Sequence, residues 1–305
     1  MPQGQYLPEG WEPQPAFLSE EEIWQAKKEG GKMEGIAVLC TEQLDLYVHF
    51  SGQKGVIPRE EAGLGANNGK MREIAVLSRV GKAVCFRIIG RRADGVWLLS
   101  RRIVQEEAWS RMLQSYQPGD ILRARVTHLE QFGAFVDIGC GIVSMIGIEN
   151  ITVSRIRSAK ERFYQGQDIF CVVLRTDAIG ERIYLSHREL LGTWEENAAR
   201  FSPGYAVEGI IRGVEPYGTF IELAPNLSGL ADADEEAVPG MKANVLIRSI
   251  QPDRMKIKLN LLEKSAGDGC RHIRRSDYVR TEGRLLRWQY QPECCLRHCI
   301  ETDFR

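Results

Sequence analysis

The chain has 305 residues, of which 43% are apolar and 27% charged, with a formal net charge of −1. That is room for two or three domains with real cores and excludes a disordered chain. The near-neutral charge argues against tight non-specific binding to a polyanion, and no apolar run reaches the roughly 18 residues that a membrane span needs.

Met1-Pro2-Gln3-Gly4 opens the chain without a secretory apolar stretch, so a cytoplasmic protein with reduced cysteines is expected. Residues 1–31 form an acidic segment with six acids and two lysines. Within it, Ser19-Glu20-Glu21-Glu22 is a capping box that opens a short helix to about Glu29. Cys40, Cys85, Cys140 and Cys171 sit singly on apolar stretches and read as small buried hydrophobes.

The next two hundred or so residues are self-similar, which decides the architecture. Pro118-Gly119 recurs as Pro203-Gly204, and Phe132-Gly133-Ala134-Phe135 recurs as Tyr217-Gly218-Thr219-Phe220, both 85 positions later. Leu99-Ser100-Arg101-Arg102 is echoed 86 positions on by Leu185-Ser186-His187-Arg188. The predicted units are 32–104, 117–190 and 202–262, joined by linker helices at 105–116 and 191–201 that carry Trp109 and Trp194. The first unit is basic, with twelve Lys/Arg against seven Asp/Glu over 32–105. The second is balanced, and the third is mildly acidic.

Each unit reads as β-structure. In the second, Leu122, Ala124 and Val126 alternate with Arg123, Arg125 and Thr127, as a half-buried strand requires. Ala134, Val136 and Ile138 point inward on the next strand, which sends Phe135 outward beside Asp137. Ser144–Ile148, Asp168–Arg175 and Arg182–Ser186 complete five short strands. One long connection after the third suits a small closed barrel of the oligonucleotide-binding type. The predicted fold is all-β and multi-domain: three consecutive five-stranded OB-fold barrels joined by short helices, with a small C-terminal extension.

In the third unit the same arithmetic sends Phe220 outward beside Glu222. Phe132 and Tyr217 sit at the preceding turns, where Gly133 and Gly218 supply backbone freedom. Two exposed rings on one face offer a stacking platform, and each stacked base contributes on the order of 1–3 kcal/mol. The competing reading is an aromatic patch that glues barrels to each other or to a protein partner.

The second unit resembles an S1 domain, the RNA-binding repeat of the largest small-subunit ribosomal protein. The likeness runs through Pro118-Gly119-Asp120, Val126, Phe132–Gly139, Phe163, Gly166-Gln167, Val173-Leu174, Asp177 and Arg182–Ser186. It implies RNA-facing roles for Phe132, Phe135, Asp177 and Arg182, while the histidine position of such domains falls on Gly147. The third unit keeps Tyr217, Gly218, Phe220 and the closing Lys256-Ile257-Lys258-Leu259, with Asp232 at the histidine position. In the first, divergent unit, Lys54–Glu61 is similar to early repeats of ribosomal protein S1. Leu46, Val48 and Phe50 face inward there, so Tyr47 stands where Phe135 does, after Leu44-Asp45 instead of an aromatic and a glycine.

The resemblance as a whole is to a short bacterial relative of ribosomal protein S1. It implies a non-catalytic, monomeric protein that binds single-stranded RNA, mRNA in particular, with Arg188 and Lys256 among its phosphate contacts. Residues 32–104 become a docking candidate for proteins of the small ribosomal subunit. No cofactor is implied. His49, His128 and His187 have no catalytic partner in sequence and read as structural or surface histidines.

In the tail, 263–305, a hairpin is expected from Asp277–Arg280 and Arg284–Tyr290 around Thr281-Glu282-Gly283, capping the third barrel. Cys270, His272, Cys294, Cys295, His298 and Cys299 invite a zinc reading, which their spacing disfavours. Asp137 with Glu149, or Asp232 with Asp234, would be the carboxylates of a metal-dependent nuclease, a reading held against scattered surface acids.

Overall fold

The computed structural model describes residues 6–12, 14–177, 182–296 and 299–305. Its contacts divide into two compact units, one of residues 1–115 with 137–143, the other of 116–136 with 144–305.

The first unit begins with α1 (Glu20–Glu29), which Ser19 and Glu22 cap reciprocally as predicted, and which Gly30 ends in the left-handed conformation. Ile23 is fully buried, and Trp24 meets Trp97 edge to face at 5.1 Å. Strands β1 (Met33–Cys40), β2 (Leu46–Phe50), β3 (Gln53–Ile57), β4 (Ala83–Arg91) and β5 (Trp97–Ser100) close a barrel in the order β1-β2-β3-β5-β4. Leu46, Val48 and Phe50 line its core. A short α2 (Glu73–Leu77) lies between β3 and β4, and α3 (Arg101–Ser115) follows β5.

Strands β6 (Ile121–Glu130), β7 (Gly133–Asp137), β8 (Val143–Gly147), β9 (Asp168–Asp177) and β10 (Arg182–Ser186) close a second barrel in the same order. After α4 (Trp194–Ala198), strands β11 (Ala206–Glu215), β12 (Gly218–Ala224), β13 (Leu227–Ala231), β14 (Lys242–Gln251) and β15 (Lys256–Ser265) close a third. Each barrel shuts through one parallel pair: β3 with β5, β8 with β10, β13 with β15. Three closed five-stranded barrels of OB topology are what the repeats and alternation predict. Trp194 is buried in the core of the second unit, as expected of its linker, whereas Trp109 is half exposed.

Two expectations about outward positions fail, for one reason. Asp137 and Glu222 follow Phe135 and Phe220 by two residues and were assigned to the water-facing side, yet they are 3% and 0% exposed. Within the first unit, Asp137 accepts hydrogen bonds from the backbone N–H groups of Glu9, Gly139 and Gly141. Burial and the nearby Glu9 carboxylate push its pKa up to about 7. Glu9 itself is bound by Arg101 at 2.7 Å. In the second unit, Glu222 accepts from Arg162 at 2.5 Å and Arg212 at 2.6 Å, and Arg212 also reaches Glu161. Alternation names the face, but another segment covers it.

The tail also departs from expectation. Its strands β16 (Arg287–Gln289) and β17 (Glu301–Asp303) pair with each other, not around residues 281–283. The tail covers the second barrel as well as the third. Arg271 and Ile273 donate backbone hydrogen bonds to the carbonyls of Glu161 and Arg162, while the Leu285 N–H donates to the Gly119 carbonyl. His187, fully buried, lies between the Ile151 carbonyl and the Tyr278 hydroxyl at 2.8 and 2.9 Å. Of the four cysteines assigned to cores, Cys85, Cys140 and Cys171 are buried and Cys40 is half-buried.

Replacing Glu222 with Ala leaves two guanidinium groups inside the protein without their shared anion. Urea unfolding of that variant is expected to show a loss of about 3–5 kcal/mol. Burial holds the His187 pKa down to about 4. The unfolded chain therefore takes up a proton that the folded one refuses between about pH 6.5 and 4. Stability from this group is complete above pH 6.5 and falls by on the order of 2–4 kcal/mol as the pH drops to 4. Unfolding midpoints measured across that range, with His187→Gln flattening the slope, check it.

Candidate nucleic-acid interface

The turn before β7 and the strand itself place Phe132 and Phe135 side by side, ring centroids 6.1 Å apart at 87°. In the third barrel Tyr217 and Phe220 repeat this at 6.1 Å and 88°. Phe132 and Tyr217 are 56% and 69% exposed, and Phe135 and Phe220 are half-buried. The rings are thus open to solvent, but they meet edge to face. A flat ligand lying on one ring abuts the edge of the other, so each pair offers one stacking surface with a side wall, not two parallel shelves.

The glycine between the rings serves close approach. A Cβ on Gly133 would collide with the Ile146 carbonyl of β8, and one on Gly218 with the Ala231 carbonyl of β13. In the first barrel Leu44 holds the turn position, buried and with a left-handed φ of 66°. Tyr47 follows on β2, half-buried, paired with Leu39 and Val56.

Asp177 and Arg182 face each other across the β9–β10 pairing. Arg182 is exposed, and the turn residues between them lie outside the described residues. Lys256 is exposed at the start of β15. Arg188 is largely engaged: its guanidinium lies 5.9 Å from the Trp288 ring and bonds Glu189, the Glu149 carbonyl and Thr302. At the two histidine positions stand anions. Asp232 is exposed, and the Glu149 carboxylate occupies the space where a Gly147 side chain would begin.

Several neighbours of the rings were missed in sequence. The His128 ring lies 6.2 Å from Phe135, tilted by 33°, and its Nε2 meets Glu130 at 2.7 Å. Elsewhere on this barrel the Arg175 guanidinium stacks 3.6 Å from the Tyr184 ring. Phe220 pairs with Leu230, which pairs with Lys258, so Lys258 stands on the same outer row as the ring. The alternation of Lys256 and Lys258 with Ile257 marked both lysines as outward. His128 lies on β6, two residues beyond the core position Val126, and the β6–β7 hairpin sets it beside Phe135.

Among the described residues no group of three or more His, Cys, Asp or Glu side chains could hold a metal ion. His298 lies outside them. Asp234 is bound by Lys264 at 2.8 Å, and Asp137 is buried in the first unit.

Residues 115–188 match the family model of the S1 RNA binding domain. The matched segment contains the Phe132–Phe135 pair. The chain resembles ribosomal protein S1: small ribosomal subunit protein bS1 of Staphylococcus aureus is 30% identical over 180 residues, 54% of this chain and 46% of that protein. The bS1 homolog of Bacillus subtilis is 32% identical over 156 residues, 49% of this chain and 41% of the homolog. The chain spans less than half the length of these two relatives. A crystal structure of a multidomain protein with nucleic acid binding domains from Streptococcus pneumoniae is 15% identical with a TM-score of 0.26, covering 77% of this chain and 74% of that one.

Because Arg188 is held by Trp288, Glu189 and Thr302, Arg188→Ala should lower the unfolding free energy by about 1–2 kcal/mol. Its affinity for single-stranded RNA should change less than twofold, roughly. Paired denaturation and filter-binding measurements separate the two effects.

Proposed function

We propose that this protein binds single-stranded RNA, including mRNA, through the ring pairs of its second and third barrels, and acts in translation in the cytoplasm as a factor like ribosomal protein S1. The observation that carries the reading is the twice-built geometry of Phe132 with Phe135 and Tyr217 with Phe220. Large rings held open on a barrel surface lose apolar burial, and a stacked base recovers it. The S1 domain match at 115–188 supports the same reading.

In this proposal Asp177 and Arg182 flank the base beside Phe135, with Arg182 near phosphate. Lys256 serves the third barrel in the same way, and Tyr47 supplies a single ring in the first. Arg188 is withdrawn from phosphate contact on the geometry above. With near-neutral charge, stacking carries more of the affinity than counterion release, and unpaired RNA is preferred to duplex. The protein works as a monomer without catalysis.

A second reading concerns the first unit alone. Ile36, Leu39, Ile74 and Leu77 are 45–66% exposed there. An apolar surface of this kind favours docking to a protein, and proteins of the small ribosomal subunit are the proposed partners of residues 32–104.

The edge-to-face geometry sets the size of the test. The double replacement Phe132→Ala with Phe135→Ala should weaken binding to a short single-stranded RNA by about 1–3 kcal/mol, the contribution of one stacked base. Fluorescence anisotropy with a labelled oligonucleotide measures this. An unchanged affinity overturns the assignment of the second barrel.

A further inference from the structure

Beside the third barrel's ring pair lies a pocket of about 370 Å³, within the roughly 300–1,000 Å³ of small-ligand sites. Tyr217 and Phe220 line one side of it. The others are lined by Val153–Arg155, from the connection after β8, by Trp194 of α4 and by Tyr290 of the tail. It is therefore a composite of two barrels, a linker and the tail, all within the second unit.

Its walls are fixed before any ligand arrives. Asn226, fully buried in the β12–β13 turn, accepts from the Val153 N–H and donates to the carbonyls of Arg188 and Gly192. Tyr290 donates its hydroxyl hydrogen to the Asn226 carbonyl at 2.6 Å, and the Trp194 N–H donates to the Tyr290 carbonyl at 2.9 Å. A preformed pocket spares a ligand the cost of ordering it.

The polar groups of the lining form a pattern. Glu215 and Arg212 both line the pocket although they are three residues apart on β11. Residues at odd spacing normally face opposite sides of a strand. A register shift between Ile211 and Gly213 resets the alternation and brings both to one side. Arg212 bonds Glu222, Glu161 and the Gly269 carbonyl, while its Nη2 is buried without a hydrogen-bond partner. Arg212 is thus committed to the protein interior, and Glu215 gives the pocket an acceptor-only carboxylate, the complement of an edge with two adjacent donors. Guanine has such an edge in N1–H and N2–H. Adenine, cytosine and uracil do not. Arg155, exposed at the rim, is placed for the adjoining phosphate.

We infer that this pocket receives a single guanine of the bound RNA strand, with the base against Tyr217 and Phe220 and Glu215 accepting from N1–H and N2–H. The inference rests on the proposed binding of single-stranded RNA and adds a base preference to it.

The test compares two labelled RNAs on the full chain, nine uridines and the same strand with guanosine at its centre. The guanosine strand should bind about five- to a hundredfold more tightly, the discrimination of one bidentate contact. Glu215→Gln and the pocket-filling Ser154→Leu should each bring that ratio below about twofold, with circular dichroism showing the barrels intact. Uridine binding with a wild-type ratio near one overturns the guanine site and leaves the RNA reading standing. A preference that survives Glu215→Gln also overturns it. Failure of both strands to bind overturns the RNA reading and this inference together.

Discussion

Glu222 is the carboxylate on which the second unit turns. It has no exposure to water and lies between the guanidinium groups of Arg162 and Arg212. An isolated buried anion is strongly disfavoured, so the strand that presents Glu222 is stable only while both arginines are delivered to it. Arg162 comes from the long β8–β9 connection of the second barrel, and Arg212 from the third barrel itself. Their own satisfaction draws in Glu161 and the tail carbonyl of Gly269. The third barrel is therefore not an independent bead. Its outer face is completed by groups that arrive from far along the chain.

This constraint explains why the ring pairs lie where they do. On β12 the outward row holds Phe220 and then Glu222, but only the second position is roofed over. The cover ends at the ring, which leaves Phe220 half open and Tyr217 fully at the surface. The first unit treats Asp137 in the same manner, enclosing it with Glu9 and the Gly139 and Gly141 amides. Two unrelated coverings bury equivalent carboxylates. In both cases the residue two places along the strand is a buried carboxyl group, and the aromatic before it is spared.

The barrels were legible because a closed sheet imposes a period of two on every strand and because the unit recurs. Inward residues such as Ala134, Val136 and Ile221 followed directly. Burial of Asp137 and Glu222 was not legible, since alternation reports which side of a strand a residue takes and not what lies over that side. The role of Gly133 was half legible: glycine is needed there, not for the backbone freedom expected of it but for the approach of the Ile146 carbonyl. The angle between the rings depends on side-chain torsions fixed by packing, which no periodic pattern encodes. The tail could not be read for a similar reason. Its hold on the second barrel runs through pairs such as His187 with Tyr278, 91 residues apart. A three-residue strand pair leaves almost no local signature.

The two ring pairs share a geometry but not a setting, and the difference bears on how they would act on one strand of RNA. Around Phe135 stand Phe132 and His128, so the second barrel adds flat groups to flat groups. Around Phe220 stand Lys258 on the same row and a pocket with directed polar groups. Stacking tolerates every base, whereas a fixed acceptor carboxylate does not. On the proposed reading the second barrel supplies sequence-tolerant grip and the third supplies choice. A protein of net charge −1 cannot rely on counterion release for affinity. On the same proposed reading, dividing the work between stacking and directed hydrogen bonds reduces the dependence of RNA binding on a basic surface.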